Sequence, residues 1–562
     1  MFFLEKKKKV VVGVVIFLSV LAALKTVFVG LNVDEEYQIT MGYRLLRGEK
    51  MFVDIWDPHQ TSAFLTEFLM WIYGILFSKM SGVIVWVRVW GCAIHFFAAW
   101  MMYKVVKTFL TPEYAFYLAA LYFNLLPKNS ILPDYSIMLI WSLTFLLSHL
   151  FFLVYKQKIY HSILCGVWMC MMVLAYPSAV LLFPVILVFF LKNKNIRWYN
   201  SVLFLVVCAA GGSLYLIYVS HLTGSVDNFI GLVADMLRGH SNYTDLTVLY
   251  KISHYAKEFL LGFLLCGLYC LLAKIVLIIL SRITKKHSSI VQFMFLSLTI
   301  GMIHHVFHWI LMLWKYEHAY NYALYFLIVS FAIVTLKKLD MPQKRFVHIT
   351  IVLSVVELIS VLLLTDLTVF ASAKYMIPGI VIGIFAILKF AEGIDTENYK
   401  RLSRPFLLFM CLVAVFVKIW QYPGSAGVMF NVSSVRGIVK EGPAKGILAE
   451  YMTSYITSCS YEEILGLVPE GSALLIVDNS SLGYMYEDVT VSSYTTICDA
   501  AYNDILLEYW DRHPEKYPDI IAVSCWYGQL HWDSNSWIMK WIENEYRASQ
   551  IIDGKYYRYY IR

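Results

Sequence analysis

Up to residue 420 the chain alternates long apolar runs with short polar segments, and beyond it the alternation stops. A membrane-spanning helix needs about 20 apolar residues. Runs at or near that length fall at 10–30, 82–103, 112–126, 135–154, 162–176, 178–191, 199–220, 257–280, 289–313, 319–336, 346–364, 375–390 and 404–420. They predict a polytopic α-helical membrane protein of about thirteen spans. The run at 61–77 follows polar residues and reads as the return of a surface loop. Tyr176-Pro177 divides a long apolar stretch into two short pieces. Broken helices at membrane depth survive only where protein covers them or where they line a cavity.

The polar segments sort by charge. KKKK at 6–9, Lys104 and Lys107, YKQK at 155–158, KNKNIR at 192–197, RITKK at 282–286, KKLDMPQKR at 337–345 and YKRLSR at 399–404 all fall on one face if the chain starts inside and alternates. That is the positive-inside pattern, and nucleic-acid binding is the wrong inference from it. The opposite face receives 31–62, 127–134, 221–256, 314–318, 365–374 and everything after 420. The expected product is a multi-pass protein of the cell (plasma) membrane with a cytoplasmic N-terminus.

Within 31–62, Tyr37, Met41 and Leu45 recur every four residues, with Asp34 on roughly the same stripe. Acids at Asp34, Glu35 and Glu36, arginines at Arg44 and Arg47 and a stop at Gly48 predict a surface helix followed by an irregular loop. The same acids would be explained by a helix start alone. After Trp420, QYPGSAG reads as a linker, and 421–562 as a small C-terminal α/β domain outside the cytoplasm. ALLIVDN and DIIAVSCW read as buried strands, NDILLEYWDRHPEKYP and SWIMKWIENEY as helices, and YYRYYIR as a terminal edge strand.

Composition agrees: 59% hydrophobic and 15% charged residues, with a mean hydropathy of +0.64, lie far from the roughly one-quarter charged of a soluble protein. The net charge of +7 sits largely in the basic stretches above. Ten cysteines are scattered without zinc-site spacing; Cys459, Cys498 and Cys525 leave room for one external disulfide. The N-terminal run lacks a small-residue cleavage site and reads as a retained span.

Asp34-Glu35 just after the first span, FVDIWDPHQTSAF at 52–64, Asp134 opening a span in LPDYSIMLIW, and SAKYMIPGI at 372–380 together resemble the GT-C superfamily of polyprenyl-phosphate-sugar glycosyltransferases. The branch most similar contains the protein O-mannosyltransferases and the lipid A aminoarabinose transferase. The resemblance covers roughly residues 1–420 in architecture. The chain departs from it at Pro58-His59-Gln60-Thr61, where relatives often have Pro-Pro-Leu, and at Lys374, where arginine is commoner.

The resemblance implies an inverting transfer of a sugar from a polyprenyl-phosphate carrier to an acceptor outside the cytoplasm: a cell-wall polymer, a lipid or a protein. Asp34 is the expected general base, with Glu35 beside it. Asp57, His59, Asp134, Lys374 and Tyr375 are the expected substrate-binding residues. Lys374 is the preferred cation for the leaving phosphate among Arg44, His59, Lys128, Lys315, His318 and Lys374. For each lysine, snorkelling to lipid headgroups is the commoner fate, and Asp134 reads equally well as a helix cap. No cofactor is implied with certainty; some relatives use a divalent cation, and His304, His305 and His308 have metal-like spacing without an accompanying glutamate. Asp235, Arg238 and His240 are candidate contacts of a connection capping the lipid cavity. A transporter or flippase of lipid-linked sugars, or a non-catalytic scaffold of the same fold, remain alternatives.

Overall fold

The computed structural model describes residues 2–126, 129–239, 248–285, 287–311, 322–365, 367–424, 429–498, 502–526 and 529–562. The candidates Lys128, His240, Lys315 and His318, and the side chains of Arg238 and His308, lie outside the described positions.

Helix α1 (Phe2–Phe28) is followed by two short helices, α2 (Val33–Leu46) and α3 (Ala63–Leu76), which pack on each other. Fourteen residues at 1.5 Å each give α3 about 21 Å, too short for a ~30 Å hydrocarbon core. Next come α4 (Val83–Val106), α5 (Pro112–Asn124), α6 (Tyr135–Lys156), α7 (Tyr160–Ala175), α8 (Leu182–Lys192) and α9 (Trp198–Thr223). They are followed by α10 (Val226–Gly239), α11 (Val248–Thr284), α12 (Ile290–Leu311), α13 (Tyr322–Thr335) and α14 (Met341–Leu364). The single-turn α15 (Val369–Ser372) leads through a 3-10 turn at Ala373–Met376 into α16 (Ile377–Ile394), and α17 (Thr396–Trp420) closes the bundle.

Nine helical segments among the described residues are long and apolar enough to cross a bilayer. Helices α6 and α16 are buried on most sides, whereas α9 and α11 expose Leu214, Ile217, Phe263 and Leu264. An apolar surface of that extent requires lipid rather than water. The Tyr176-Pro177 break is present: α7 ends at Ala175 and a 3-10 turn at Pro177–Leu181 starts the next piece.

Every strand among the described residues lies after Trp420. Two hairpin-like pairs, β1 (Gln421–Pro423) with β2 (Met429–Asn431) and β3 (Val435–Ile438) with β4 (Leu448–Glu450), precede α18 (Tyr451–Leu467). The main sheet contains β5 (Ala473–Val477), β6 (Thr490–Val491), β7 (Ile520–Trp526), β8 (Gln529–Leu530), β9 (Gln550–Asp553) and β10 (Tyr557–Ile561). Its order is β6-β5-β7-β10-β9, with β8 on β7, parallel through β6-β5-β7 and antiparallel beyond. Helices α19 (Ile505–Arg512) and α20 (Trp537–Asn544) complete it.

All three strands read from sequence are here, as β5, β7 and β10, and two expectations are corrected. The linker read at 421 begins with β1, because Gln421 to Pro423 pair with Asn431 to Met429. The terminal strand is not an edge: β10 sits between β7 and β9 and buries Tyr557 and Tyr559, so the shorter β9 takes the edge.

The change of composition at 420 is not a boundary between cores. Leu474, Ile476 and Ile520 on one face of the sheet share a hydrophobic cluster with Ile39, Leu69, Met70 and Ile84. Leu475, Val477 and Ile521 on the other face share one with Tyr37, Met41, Leu45 and Trp56. The Tyr37-Met41-Leu45 stripe therefore faces the sheet. The end of α1 is stitched to the same unit: Gly30 N–H donates to the Leu448 carbonyl at 2.8 Å and Leu31 N–H to the Pro423 carbonyl at 3.1 Å. Gly30 has φ +85°, and a Cβ there would lie 2.6 Å from the Pro423 oxygen, so only glycine fits.

Candidate functional site

Successive residues of an α-helix turn by about 100°, so the three acids at the start of α2 face three directions. Asn32 caps the helix: its side chain accepts the Asp34 N–H at 3.1 Å, while Glu35 reaches back to the Asn32 N–H at 3.2 Å. Glu35 is fully buried and grips Arg88 through Nε–Oε1 at 3.1 Å and Nη2–Oε2 at 2.5 Å. The Ser130 hydroxyl donates to Glu35 Oε1 at 2.6 Å. Arg88 also donates to the carbonyls of Val27 (3.1 Å) and Gly30 (2.7 Å). Glu35 thus ties α1, α2, α4 and the loop before α6 together, and its lone pairs are spent on that task. Sequence reasoning missed Arg88; the signal was an isolated arginine in the apolar run VIVWVRVW.

Asp34 is half-buried at the mouth of α2. Gln38, one turn later on the same stripe, accepts from the Ser62 hydroxyl at 3.0 Å and donates to Thr66 Oγ1 at 3.4 Å. Thr66 reaches the Pro133 carbonyl at 3.5 Å. The Gln38 side of α2 therefore faces α3 and the segment that delivers Asp134.

Asp134 carries both roles weighed for it. Its Oδ1 caps α6, accepting from Ile137 N–H and the Ser136 hydroxyl at 2.8 Å each, while buried Oδ2 has no hydrogen-bond partner. Its charge acts on the buried Lys374 ammonium across the gap between α6 and the turn before α16. Lys374 does not snorkel outward; its Nζ lies 5.2 Å from the Tyr375 ring centre. An aromatic chain closes the cluster. His59 stacks on Tyr135 at 4.0 Å between ring centres and meets Tyr176 at 4.8 Å, and Tyr176 meets Tyr375 at 6.0 Å. His59, Asp134, Lys374 and Tyr375 thus come together, around the helix break at Tyr176-Pro177.

Asp57 lies elsewhere. Its two oxygens accept from Thr495 Oγ1 at 2.6 Å and Thr496 N–H at 2.8 Å, clamping the loop to the sheet. Arg44 does the same, bonding Glu49, the Asp54 and Ser493 carbonyls and the Thr496 hydroxyl. His304 bonds the Tyr269 hydroxyl at 2.6 Å, and no metal-ligating group of three His, Cys, Asp or Glu exists among the described residues. Cys459, Cys498 and Cys525 are all reduced, so the external disulfide for which they left room is not formed. Asp235 pairs with Arg512 at 2.8 Å, joining α10 to α19.

Two further acids stand out: Glu36, which the sequence offers only as one of three acids at a helix start, and Glu357, which it does not single out. Glu36 is 1% exposed with both oxygens unpartnered, and burial pushes its carboxyl up to about 8 despite the favourable Ser480 hydroxyl nearby. Glu357, inside α14, is fully buried with neither oxygen bonded. No protein-family model matches the chain, and no curated protein matches it.

Proposed function

We propose that the protein is an inverting glycosyltransferase that moves a sugar from a polyprenyl-phosphate carrier to an acceptor outside the cytoplasm. The Asp134–Lys374 arrangement carries this reading: a buried acid and a buried cation lie within electrostatic reach of each other beside a helix break. Asp34 takes the proton of the acceptor O–H or N–H as the new bond forms at the anomeric carbon. The carbon–oxygen bond to phosphate breaks, and its electron pair leaves on the phosphate, which the Lys374 ammonium stabilises. Asp134 holds Lys374 in place, with His59 and Tyr375 walling the site.

In this reading the roughly thirteen apolar stretches lie in the plasma membrane, some of them, such as α5 and α8, shorter than a full crossing; the basic loops are cytoplasmic, and 421–562 is an extracytoplasmic domain roofing the site. An apolar groove of about 1010 Å³ between α1, α4 and α5 reaches Val27 and Phe28 at the end of α1, giving a lipid tail a place to lie. The test is release of polyprenyl phosphate by purified protein supplied with a polyprenyl-phosphate sugar and an acceptor. Loss of release in Asp34→Asn and Lys374→Met, with folding retained, supports the assignment; unchanged release in either removes that residue from its role.

One observation favours a transporter of lipid-linked sugars instead. Glu357 has no partner, and α14 packs against both 3-10 turns, at 177–181 and 373–376. Unpaired intramembrane acids beside broken helices are typical of transport pathways. Movement of intact glycolipid between leaflets without bond cleavage, abolished by Glu357→Gln, would select that reading.

A further inference from the structure

We propose that the cleft between α2 and the sheet of 421–562 is a separate ligand site, which takes a primary ammonium carried on a small hydroxylated molecule. The inference does not rest on the transferase reading, because none of its residues belongs to the Asp134–Lys374 cluster.

The cleft holds a cavity of about 320 Å³, at the small end of ligand pockets and suited to one sugar-sized group. Glu36 of α2 forms one wall and the carboxyl end of β5, with Asp478, the other. Carboxyl ends of parallel strands are where open sheets bind ligands, and β5 runs parallel to both its neighbours.

Glu36 is the observation that asks for a ligand. A fold gains nothing by burying a carboxyl with two unsatisfied oxygens. The helix start does not need it, since Asn32 and Glu35 already form the capping box. Asp478 across the cleft shows the contrast: it is equally buried, yet accepts from Tyr556 Oη at 3.1 Å, Tyr557 Oη at 2.8 Å and Asn479 N–H at 2.7 Å. One carboxyl is fixed and the other is left open.

Of the remaining wall, Phe430, Met452 and Ile456 are apolar, and Asn479, Ser480 and His531 bring groups able to donate. Thr457 and Ser460 on α18 spend their hydroxyl hydrogens on the carbonyls of Thr453 and Thr457, at 2.8 and 3.1 Å, leaving lone pairs for the cavity. Glu450 adds a third carboxyl. An ammonium brings three donors and no acceptor, the complement of the carboxyls and of these hydroxyl lone pairs. The absence of a three-ligand group among the described residues makes the wall a poorer match for a divalent cation.

Full-length protein in nanodiscs is titrated with glucosamine, ethanolamine and glucose by calorimetry at neutral pH. Binding of an amine probe, with proton release and about tenfold or more weaker binding in Glu36→Gln and Thr457→Val, is the expected result. Tighter binding of glucosamine identifies an amino sugar as the source of the ammonium; tighter binding of ethanolamine identifies a lipid headgroup. Glucose binding as tightly as the amines, amine binding unchanged in Glu36→Gln, or no binding of either amine overturns the proposal.

Discussion

Replacing Arg88 with methionine should be among the most damaging single changes in the protein. The guanidinium serves four acceptors at once: both Glu35 oxygens and the carbonyls of Val27 and Gly30. Arg88 and Glu35 are 1% and 0% exposed, so water cannot replace what is removed. Breaking a buried pair from one side costs roughly 3–5 kcal/mol, because the remaining charge stays desolvated. Arg88→Met should therefore lower stability by about 4 kcal/mol in a denaturant titration in mixed micelles. Arg88→Met combined with Glu35→Gln removes both charges and should recover about 1–3 kcal/mol of that loss, the coupling expected for groups in direct contact. The glutamine still accepts from Ser130 and Asn32, so the capping box survives. Additive effects in the double variant, or an Arg88→Met protein as stable as the native one, would refute the assignment of this pair as the tie between α1, α2 and α4.

Asp57→Ala should free the loop after α2 from the sheet, costing about 1–3 kcal/mol for the stranded Thr495 and Thr496 donors, and limited proteolysis should cut first between residues 49 and 60. Glu36 gives a pH dependence of opposite sign to a salt-bridged acid. Its folded carboxyl titrates at about 8 against an ordinary 4.5, so the folded state holds the extra proton and stability falls as pH rises between those values. The full gap corresponds to on the order of 5 kcal/mol, and thermal scans from pH 5 to 8.5 should show a steeper decline in the native protein than in Glu36→Gln. Parallel declines would show that Glu36 is not the group responsible.

Features set by local periodicity were legible in the sequence. The four-residue recurrence of Tyr37, Met41 and Leu45 marks α2 as a helix, but the surface position expected of it is wrong: ten of its fourteen residues are buried, and this stripe meets a sheet more than 400 residues away. The acids at 34–36 looked alike because a sequence does not show helical phase against an unknown neighbour. In space Asp34 lies half-buried on the Gln38 stripe, Glu35 grips Arg88, and Glu36 enters the cleft beside Asp478. Asp57 pairs with residues 438 and 439 positions on, a separation no pattern encodes. The terminal strand is expected at an edge because β9, with half of its residues polar, leaves no strand signal to put beyond it. Asp134, Lys374 and Tyr375 are singled out in the sequence by the resemblance carried by LPDYSIMLIW and SAKYMIPGI, and the structure sets them near His59 around the Tyr176-Pro177 break.

The most direct measurement is single-turnover release of polyprenyl phosphate by native protein, Asp34→Asn and Lys374→Met in the same lipid. A transferase using these residues should cleave the donor only when acceptor is present. Asp34→Asn should slow the step by about 10²–10⁴-fold, the range of a positioned general base, while donor binding stays within a few-fold. Native rates in Asp34→Asn, or glycolipid that crosses the bilayer with its sugar–phosphate bond intact, would contradict the transferase reading.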